Sequence, residues 1–254
     1  MAARLALLLA FVSALPADTA PARERTRDAA HRRDGVPASA PLPLPRPVVG
    51  PALRSWAPEP DRDRPDPALK ARAQCWKRLV SDLAVADPEP AIDGPGACGA
   101  SDLVSLKAIR LPGGDRVVLE PAAKVRCGMA EALARWVRAD IAPVLERSEA
   151  RLARLQVSTS YECRPRNRVE SARTSEHGTG NAVDVRALVL TDGKTVVLTD
   201  ATDDKDLRSA LATSACARFS TVLGPGSDPS HEDHIHLDLI ERRSGSHICQ
   251  WNVR

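Results

Sequence analysis

Two short segments hold four of the six histidines of this chain, and a fold that uses them together must bring both segments to one place. The first spans residues 175–184 and contains His177 and, seven positions later, Asp184. The second spans residues 231–236 and ends in the pair His234-Ile235-His236. Catalytic zinc usually takes three ligands from His, Asp, Glu or Cys and keeps a fourth position for water. The spacing therefore predicts a metal site assembled from two distant parts of the chain.

Residues 234–239 alternate polar and apolar side chains, which is typical of a half-buried strand. Because side chains two positions apart in a strand point the same way, His234, His236 and Asp238 are expected on one face. Asp184 lies in a β-prone run and is expected to reach the same point from a neighbouring strand. Three acidic residues are candidates to accept the second ring N–H of a ligand histidine: Glu176, Asp233 and Asp238.

These residues resemble known metallopeptidase motifs. Ser175-Glu176-His177 followed by Ala182-Val183-Asp184 is similar to the signature of the LAS metallopeptidases, the lysostaphin, D-Ala-D-Ala metallopeptidase and hedgehog group. The His-x-His of the second segment resembles the lysostaphin and murein-endopeptidase branches. It departs from the D,D-carboxypeptidases, which use a glutamate ahead of a Trp-His pair.

A closer resemblance is to the bacterial extensin-like C-terminal domain family, over about residues 75–249. The shared motifs are Ser160-Tyr161-x-Cys163-Arg164, Ser175-Glu176-His177, Gly180-Asn181-Ala182-Val183-Asp184, Val222-Leu223-Gly224-Pro225-Gly226 and His231-x-Asp233-His234-x-His236. The resemblances together imply a LAS/hedgehog-type zinc peptidase fold.

The resemblance also implies roles for the clustered residues. His177, Asp184 and His236 are expected to bind Zn²⁺. His234, the first histidine of the His-x-His pair, is expected to be the general base or to orient the attacking water.

Three further residues take roles from the resemblance. Arg164 resembles the arginine that contacts a substrate carbonyl or carboxylate in the carboxypeptidase branch, which makes it a catalytic candidate; the alternative is a solvated or salt-bridged arginine. Ser175 and His231 are expected to lie next to the metal ligands without binding the metal, and to have a supporting role. The alternatives are that Ser175 caps a turn and that His231 is structural.

The amino-terminal part of the chain indicates export. In residues 1–20, Arg4 precedes a short apolar run and small residues follow, so this segment is interpreted as a secretory signal peptide. Residues 21–67 are predicted to be a disordered Pro/Arg-rich linker that cannot bury enough apolar surface to fold. Residues 68–254 are long enough for one domain, and no second hydrophobic stretch is long enough for a membrane helix. The sequence therefore predicts a periplasmic or cell-envelope protein without a transmembrane segment in its mature form.

The six cysteines all follow the linker, and no two of them form a Cys-x-x-Cys motif. An even set of cysteines in an exported chain indicates disulfides rather than a thiolate metal site or a redox motif. The expected pairing joins neighbours along the chain: Cys75–Cys98, Cys127–Cys163 and Cys216–Cys249.

The remaining patterns predict an α+β domain with helices on one face of a small antiparallel sheet. Apolar residues at helical spacing predict helices over residues 68–83, 127–147 and 203–219, with a kink in the second at Pro143. Gly113-Gly114 and Asp192-Gly193 predict hairpin turns.

The function that these observations favour is an exported zinc-dependent peptidase. Its expected substrates are peptidoglycan stem peptides, cleaved by D,D-carboxypeptidase or endopeptidase action. The alternatives are a noncatalytic zinc-containing module that binds the cell wall, and a purely structural zinc site. A net charge of +3, few aromatic residues and the lack of a recognition motif argue against nucleic acid as a partner. The sequence leaves the oligomeric state open.

Overall fold

The computed structural model describes residues 67–253. The predicted signal peptide and all of the predicted linker except Pro67 lie outside these residues, and Pro67 begins the first helix. Within the described part, no helix is long and apolar enough to cross a membrane.

Four α-helices and eleven strands make up the described part of the chain. The helices are α1 (Pro67–Arg78), α2 (Cys127–Trp136), α3 (Ala142–Glu146) and α4 (Lys205–Arg218). The strands are β1 (Ala84–Pro88), β2 (Ile92–Asp93), β3 (Gly99–Ala100), β4 (Leu103–Arg110), β5 (Arg116–Arg126), β6 (Leu152–Thr159), β7 (Ala182–Leu190), β8 (Thr195–Val197), β9 (Thr221–Leu223), β10 (Ile235–Asp238) and β11 (Ile248–Gln250).

The predicted helices and hairpins are present. One π-helical turn, Leu79–Leu83, extends α1, and another, Val137–Ile141, joins α2 to α3. Pro143 lies in the first turn of α3. A proline costs the helix little stability there, because backbone N–H groups in the first turn have no hydrogen-bond partner within the helix. The turns at Gly113-Gly114 and Asp192-Gly193 connect β4 to β5 and β7 to β8.

The prediction of a small antiparallel sheet was wrong in size, and the sheet is mixed, although most of its strand pairs are antiparallel. Among the described residues, nine strands form one sheet in the order β1-β4-β5-β6-β7-β10-β9-β11, with β8 paired to β7. The pairs β5–β6 and β9–β11 are parallel, and the others are antiparallel. Parallel neighbours need a crossover, and the helical segment from α2 to α3 supplies it between β5 and β6. β2 and β3 form a separate two-stranded sheet.

The helices share one buried core with the sheet. α2 packs on β4, β5 and α4, and α4 also packs on β9. Trp136 is fully buried at this junction, where its ring lies edge-on to Phe219 at a centroid distance of 5.8 Å. Its indole N–H donates to Ser214 Oγ at 2.9 Å. This hydrogen bond gives a partner to the only polar atom of a side chain whose other contacts are apolar.

The two faces of β7 and β10 have different roles. Val183 and Val185 on β7, together with Ile235 and Leu237 on β10, belong to the hydrophobic core. Asp184 and His236 alternate with these residues and therefore point away from that core, yet both are buried. The candidate site consequently lies on the sheet face opposite the main core.

Three disulfides are formed, and two of them differ from the expected pairing. The bonds are Cys75–Cys127, Cys98–Cys163 and Cys216–Cys249. Cys75 lies on α1, which packs against α2, so its spatial neighbour is Cys127 at the start of α2 and not Cys98. The predictions Cys75–Cys98 and Cys127–Cys163 were therefore wrong, because packing separates cysteines that are neighbours in sequence. The bond between α4 and β11, Cys216–Cys249, is the predicted one.

Candidate metal centre

Two strands and one turn assemble the candidate centre. The antiparallel register of β7 and β10 places Asp184 directly opposite His236. His177 comes from the 3₁₀ turn Glu176–Thr179, which lies just before β7. Ser175 caps this turn, since its hydroxyl accepts a hydrogen bond from the His177 backbone N–H at 3.4 Å. The structure thus places Ser175 next to a candidate ligand, in the turn-capping position.

The potential ligand atoms of these residues converge. His177 Nε2 lies 3.1 Å from His236 Nδ1 and 3.2 Å from Asp184 Oδ1, and the last two atoms are 2.9 Å apart. A tetrahedral zinc about 2.0–2.2 Å from each ligand holds neighbouring ligand atoms about 3.4 Å from one another. The observed separations are 0.2–0.5 Å shorter than this value. His177, Asp184 and His236, called the metal triad below, could therefore hold a metal ion after a small outward shift, and all three are buried.

The outer nitrogen of each triad histidine has an acceptor that fixes the ring. His177 Nδ1 lies 2.7 Å from the Ser160 carbonyl oxygen, and His236 Nε2 lies 3.2 Å from Asp238 Oδ2. Both acceptors require a hydrogen on the outer nitrogen, so the lone pairs of the neutral rings point inwards. Two lone pairs and a carboxylate oxygen at such separations repel unless a proton or a cation lies between them. This arrangement is the main physical argument for a metal.

The pKa values of Asp184 and His236 also indicate a centre that stabilises positive charge. When protons and not a metal ion lie between the ligand atoms, burial penalises an ionised Asp184, but hydrogen bonds from the His177 and His236 rings outweigh the penalty and hold the pKa of this carboxyl well below its usual range. Burial also disfavours a charged His236, yet hydrogen bonds to Asp184 and Asp238 raise the pKa of His236 to about 9. The centre therefore stabilises positive charge, and a metal ion must compete with a proton for it.

Two more histidines flank the triad, and each is held by an aspartate. His234 Nδ1 lies 2.7 Å from Asp233 Oδ1, while its Nε2 lies 3.5 Å from the second oxygen of Asp184. His231 Nδ1 lies 2.8 Å from Asp228 Oδ1. The His231 ring centroid is 5.4 Å from that of His234 and 5.5 Å from that of His236. Burial lowers the pKa of His231, and the hydrogen bond to Asp228 only partly opposes this effect.

The profile of the family described as Extensin-like protein C-terminus matches residues 73–250. The chain belongs to this family. The extensin-like region contains the metal triad, both flanking histidines and all six cysteines. No curated protein and no solved structure matched the chain.

A small polar cleft opens at the metal triad of the extensin-like domain. His177, His236 and His231 line it, whereas His234 lies against Asp184 and is not among the described residues that form its walls. Four arginines also line the cleft: Arg164, Arg166, Arg173 and Arg242. Arg164 donates through Nε to Glu162 Oε2 at 2.8 Å, so it is ion-paired and lines the cleft as well.

Several partners of the site residues were not singled out by the sequence. Of the three acidic candidates, Asp238 orients the triad residue His236, Asp233 orients His234, and Glu176 instead accepts from Asn181 at 2.9 Å. Asp228 has a local signal that could have found it. It precedes Pro229 and lies three residues before His231, a spacing typical of a capping aspartate, and its side chain accepts from Ser230 N–H. The Ser160 carbonyl has no such signal, because any residue type offers one.

Proposed function

We propose that the extensin-like domain is a zinc-dependent peptidase that cleaves the peptides of peptidoglycan outside the cytoplasm. The observation that carries the proposal is a buried set of three potential metal ligands beside a polar cleft that is open to solvent. Structural zinc sites usually use four protein ligands, whereas catalytic sites combine three protein ligands with an open position. The alternative function is a noncatalytic module that binds the cell wall, and the experiments below distinguish it from a peptidase.

Zinc fits the residues that are present. His177 would hold it through Nε2, Asp184 through a carboxylate oxygen and His236 through Nδ1. When bound, the ion supplies Lewis-acid chemistry for the hydrolysis of a peptide bond.

The flanking residues of the chain supply proton transfer and substrate orientation. His234 is proposed as the general base, with its ring held by Asp233. His231 is a second proton carrier, because it lines the cleft and Asp228 fixes its tautomer. Arg164, held by Glu162, is placed to orient a substrate carbonyl or carboxylate.

Two observations support the wider setting. The order of the motifs, with His177 and Asp184 first and a His-x-His later, supports a relationship to the LAS metallopeptidases, whose substrates include peptidoglycan peptides. Three disulfides support export, since such bonds persist in oxidising compartments. The predicted signal peptide agrees with the same location.

The first experiment tests the ligands. Full-length mature protein with intact disulfides is loaded with zinc, and metal content is measured for the variants His177→Ala, Asp184→Ala and His236→Ala. Each variant should lose zinc, because it removes one of three protein ligands. His247→Ala is the matched control, since His247 is exposed and lies outside the centre. Zinc retained by all three ligand variants would contradict the assignment.

The second experiment tests catalysis. His234→Ala and His231→Ala should retain zinc, and His234→Ala should release peptide products from defined stem peptides about 10²–10⁴ times more slowly than the parent protein. Release of new amino groups is measured beside binding to intact sacculi. Zinc-loaded parent protein that binds sacculi but releases no amines would replace the peptidase with the wall-binding module.

A further inference from the structure

The four arginines of the cleft differ in how they are engaged. Arg164 is paired with Glu162. Arg242 donates to the Ser220 carbonyl at 2.8 Å and to Thr221 Oγ1 at 2.6 Å. These two side chains are therefore engaged with other groups of the protein. Arg166 and Arg173 line the same cleft, but neither side chain has a hydrogen bond or an ion pair within residues 67–253.

The backbone places Arg166 and Arg173 side by side. Arg166 N–H donates to the Arg173 carbonyl at 2.9 Å, and Ser175 N–H donates to the Arg164 carbonyl at 3.0 Å. Between these bonds, Pro165 and Thr174 form an antiparallel bridge. Residues directly opposite each other in such a ladder present their side chains on the same face. Arg166 and Arg173 therefore project together on the cleft side of this short loop.

Within residues 67–253, neither Arg166 nor Arg173 pairs with an acidic residue near this loop, including Glu170 on the loop itself. Glu162 pairs with Arg164 and with Arg168, and Asp228 accepts from Asn167, Ser230 and His231. Arg166 is half-buried and Arg173 is exposed. Two guanidinium groups that line one cleft repel each other, and an anion bound between them removes this repulsion and accepts several of their N–H groups. Because the pair lines the cleft that contains the metal triad, the matching anion is part of the molecule that enters the cleft.

We propose that Arg166 and Arg173 together bind a carboxylate of the peptide substrate. This inference rests on the proposed peptidase function for the identity of the ligand, and it deepens that function by assigning a substrate class. A planar carboxylate can accept parallel hydrogen bonds from guanidinium groups, which a neutral amide cannot do equally well. Peptides with a free carboxylate near the scissile bond are therefore the preferred substrates. The carboxylate comes either from the C-terminus of the peptide or from an internal acidic residue.

The test compares peptides that differ only in their carboxylates. The zinc-loaded parent protein and an Arg166→Gln/Arg173→Gln double variant are given three forms of a stem pentapeptide ending in D-Ala-D-Ala. One form has all its carboxylates free, one has an amidated C-terminus, and one has amidated internal carboxylates. The Kd is measured by calorimetry and kcat/KM by product release. Arg168→Gln is the matched control, because Arg168 lies on the same loop but is exposed and paired with Glu162.

The parent protein should bind and cleave the carboxylate form about 10- to 100-fold better than the form that lacks the recognised carboxylate. The double variant should lose this difference and keep its zinc, whereas Arg168→Gln should behave like the parent. The amidated form that loses binding shows whether the C-terminal or an internal carboxylate is recognised.

The remaining outcomes separate this inference from the proposed function. If the Kd values of the three peptides differ but no peptide is cleaved, the carboxylate site stands and the proposed peptidase function is wrong. Cleavage of all three forms with equal kcat/KM and Kd keeps the peptidase and overturns the carboxylate site. A difference that persists in the double variant also overturns the assignment to Arg166 and Arg173. If the protein neither binds nor cleaves any of the three peptide forms, both the carboxylate site and the proposed peptidase function are wrong.

Discussion

At the scale of single residues, the candidate centre depends on which ring nitrogen of each histidine faces inwards. The Ser160 carbonyl orients the His177 ring so that its Nε2 faces Asp184. Asp238 orients the His236 ring so that its Nδ1 faces Asp184. The acceptors behind the ligands therefore decide the geometry as much as the ligands themselves. Removing such an acceptor tests the arrangement without deleting a metal-binding atom.

The variant Asp238→Asn should lower zinc affinity about 10- to 100-fold, because a carboxamide is a weaker acceptor for the His236 Nε2 hydrogen. Competition with a chromophoric chelator measures the change. Asp233→Asn is the matched control: Asp233 holds His234, which is not a predicted ligand, so zinc affinity should be unchanged. Equal affinities for both variants and the parent would show that Asp238 does not orient a ligand.

At the scale of elements, the metal triad depends on one strand register and one tightly packed turn. A one-residue shift between β7 and β10 would move Asp184 or His236 to the core face. The turn that carries His177 packs closely against the Cys98–Cys163 disulfide. A Cβ atom on Gly178 would lie 2.8 Å from Thr174 Cγ2 and 3.0 Å from Cys98 Sγ, so only glycine fits there without displacement of its neighbours.

The contact between α1 and α2 includes an ion pair whose contribution depends on pH. Glu131 accepts from Arg78 Nε at 3.1 Å and from Arg78 Nη2 at 2.9 Å, and these hydrogen bonds are the main cause of its lowered pKa. A group whose pKa falls on folding stabilises the fold above its unfolded pKa, which for Glu131 is near 4.5. This contribution is lost as the pH falls through the lower pKa of the folded state.

We therefore expect Glu131→Gln to lower the Tm by about 1–3 °C at neutral pH. The difference from the parent should shrink as the pH falls below 4.5, the ordinary glutamate value. Thermal unfolding followed by circular dichroism at several pH values measures it. Glu146→Gln is the control, since Glu146 is exposed on α3 and has no ion pair in the described part of the chain. A Tm difference of the same size at every pH would contradict the role of the Glu131 charge.

At the scale of the whole molecule, the proposed metal connects parts of the chain that are far apart in sequence. Its ligands come from a turn and from two strands, while the three disulfides join other pairs of segments. An ion that binds the folded protein and not the unfolded chain adds RT ln(1 + [L]/Kd) to the stability. Metal binding should therefore be visible in the global unfolding transition.

Zinc at about 1,000 times its Kd should stabilise the protein by about 4 kcal/mol, which raises the Tm by about 10 °C for a domain of this size. Scanning calorimetry of chelator-treated and zinc-loaded protein measures the shift, with the disulfides kept oxidised in both samples. His177→Ala under the same zinc concentration should show no shift. An identical Tm for loaded and chelator-treated parent protein would contradict binding at the metal triad.

The local features of this protein follow from its amino-acid pattern. The helices over residues 127–146 and 205–218 follow from apolar periodicity, and the hairpin turns follow from their glycines. The alternation around His236 predicted which side chains of β10 face the core, because strand geometry requires it. The triad of His177, Asp184 and His236 was expected from the family resemblance, whereas the spacing of the residues indicated only that the two segments meet at one site.

The way in which distant segments meet depends on packing and has no local pattern. Cys75 bonds Cys127 because α1 packs on α2, and no local pattern records that contact. The parallel pairing of β5 with β6 depends on the path of the intervening helices. The acceptors behind the ligands are also consequences of packing, as is the position of Arg166 and Arg173 at the cleft, where neither has an ion pair within residues 67–253. Local preferences act over a few residues, whereas these contacts depend on which surfaces the whole chain buries together.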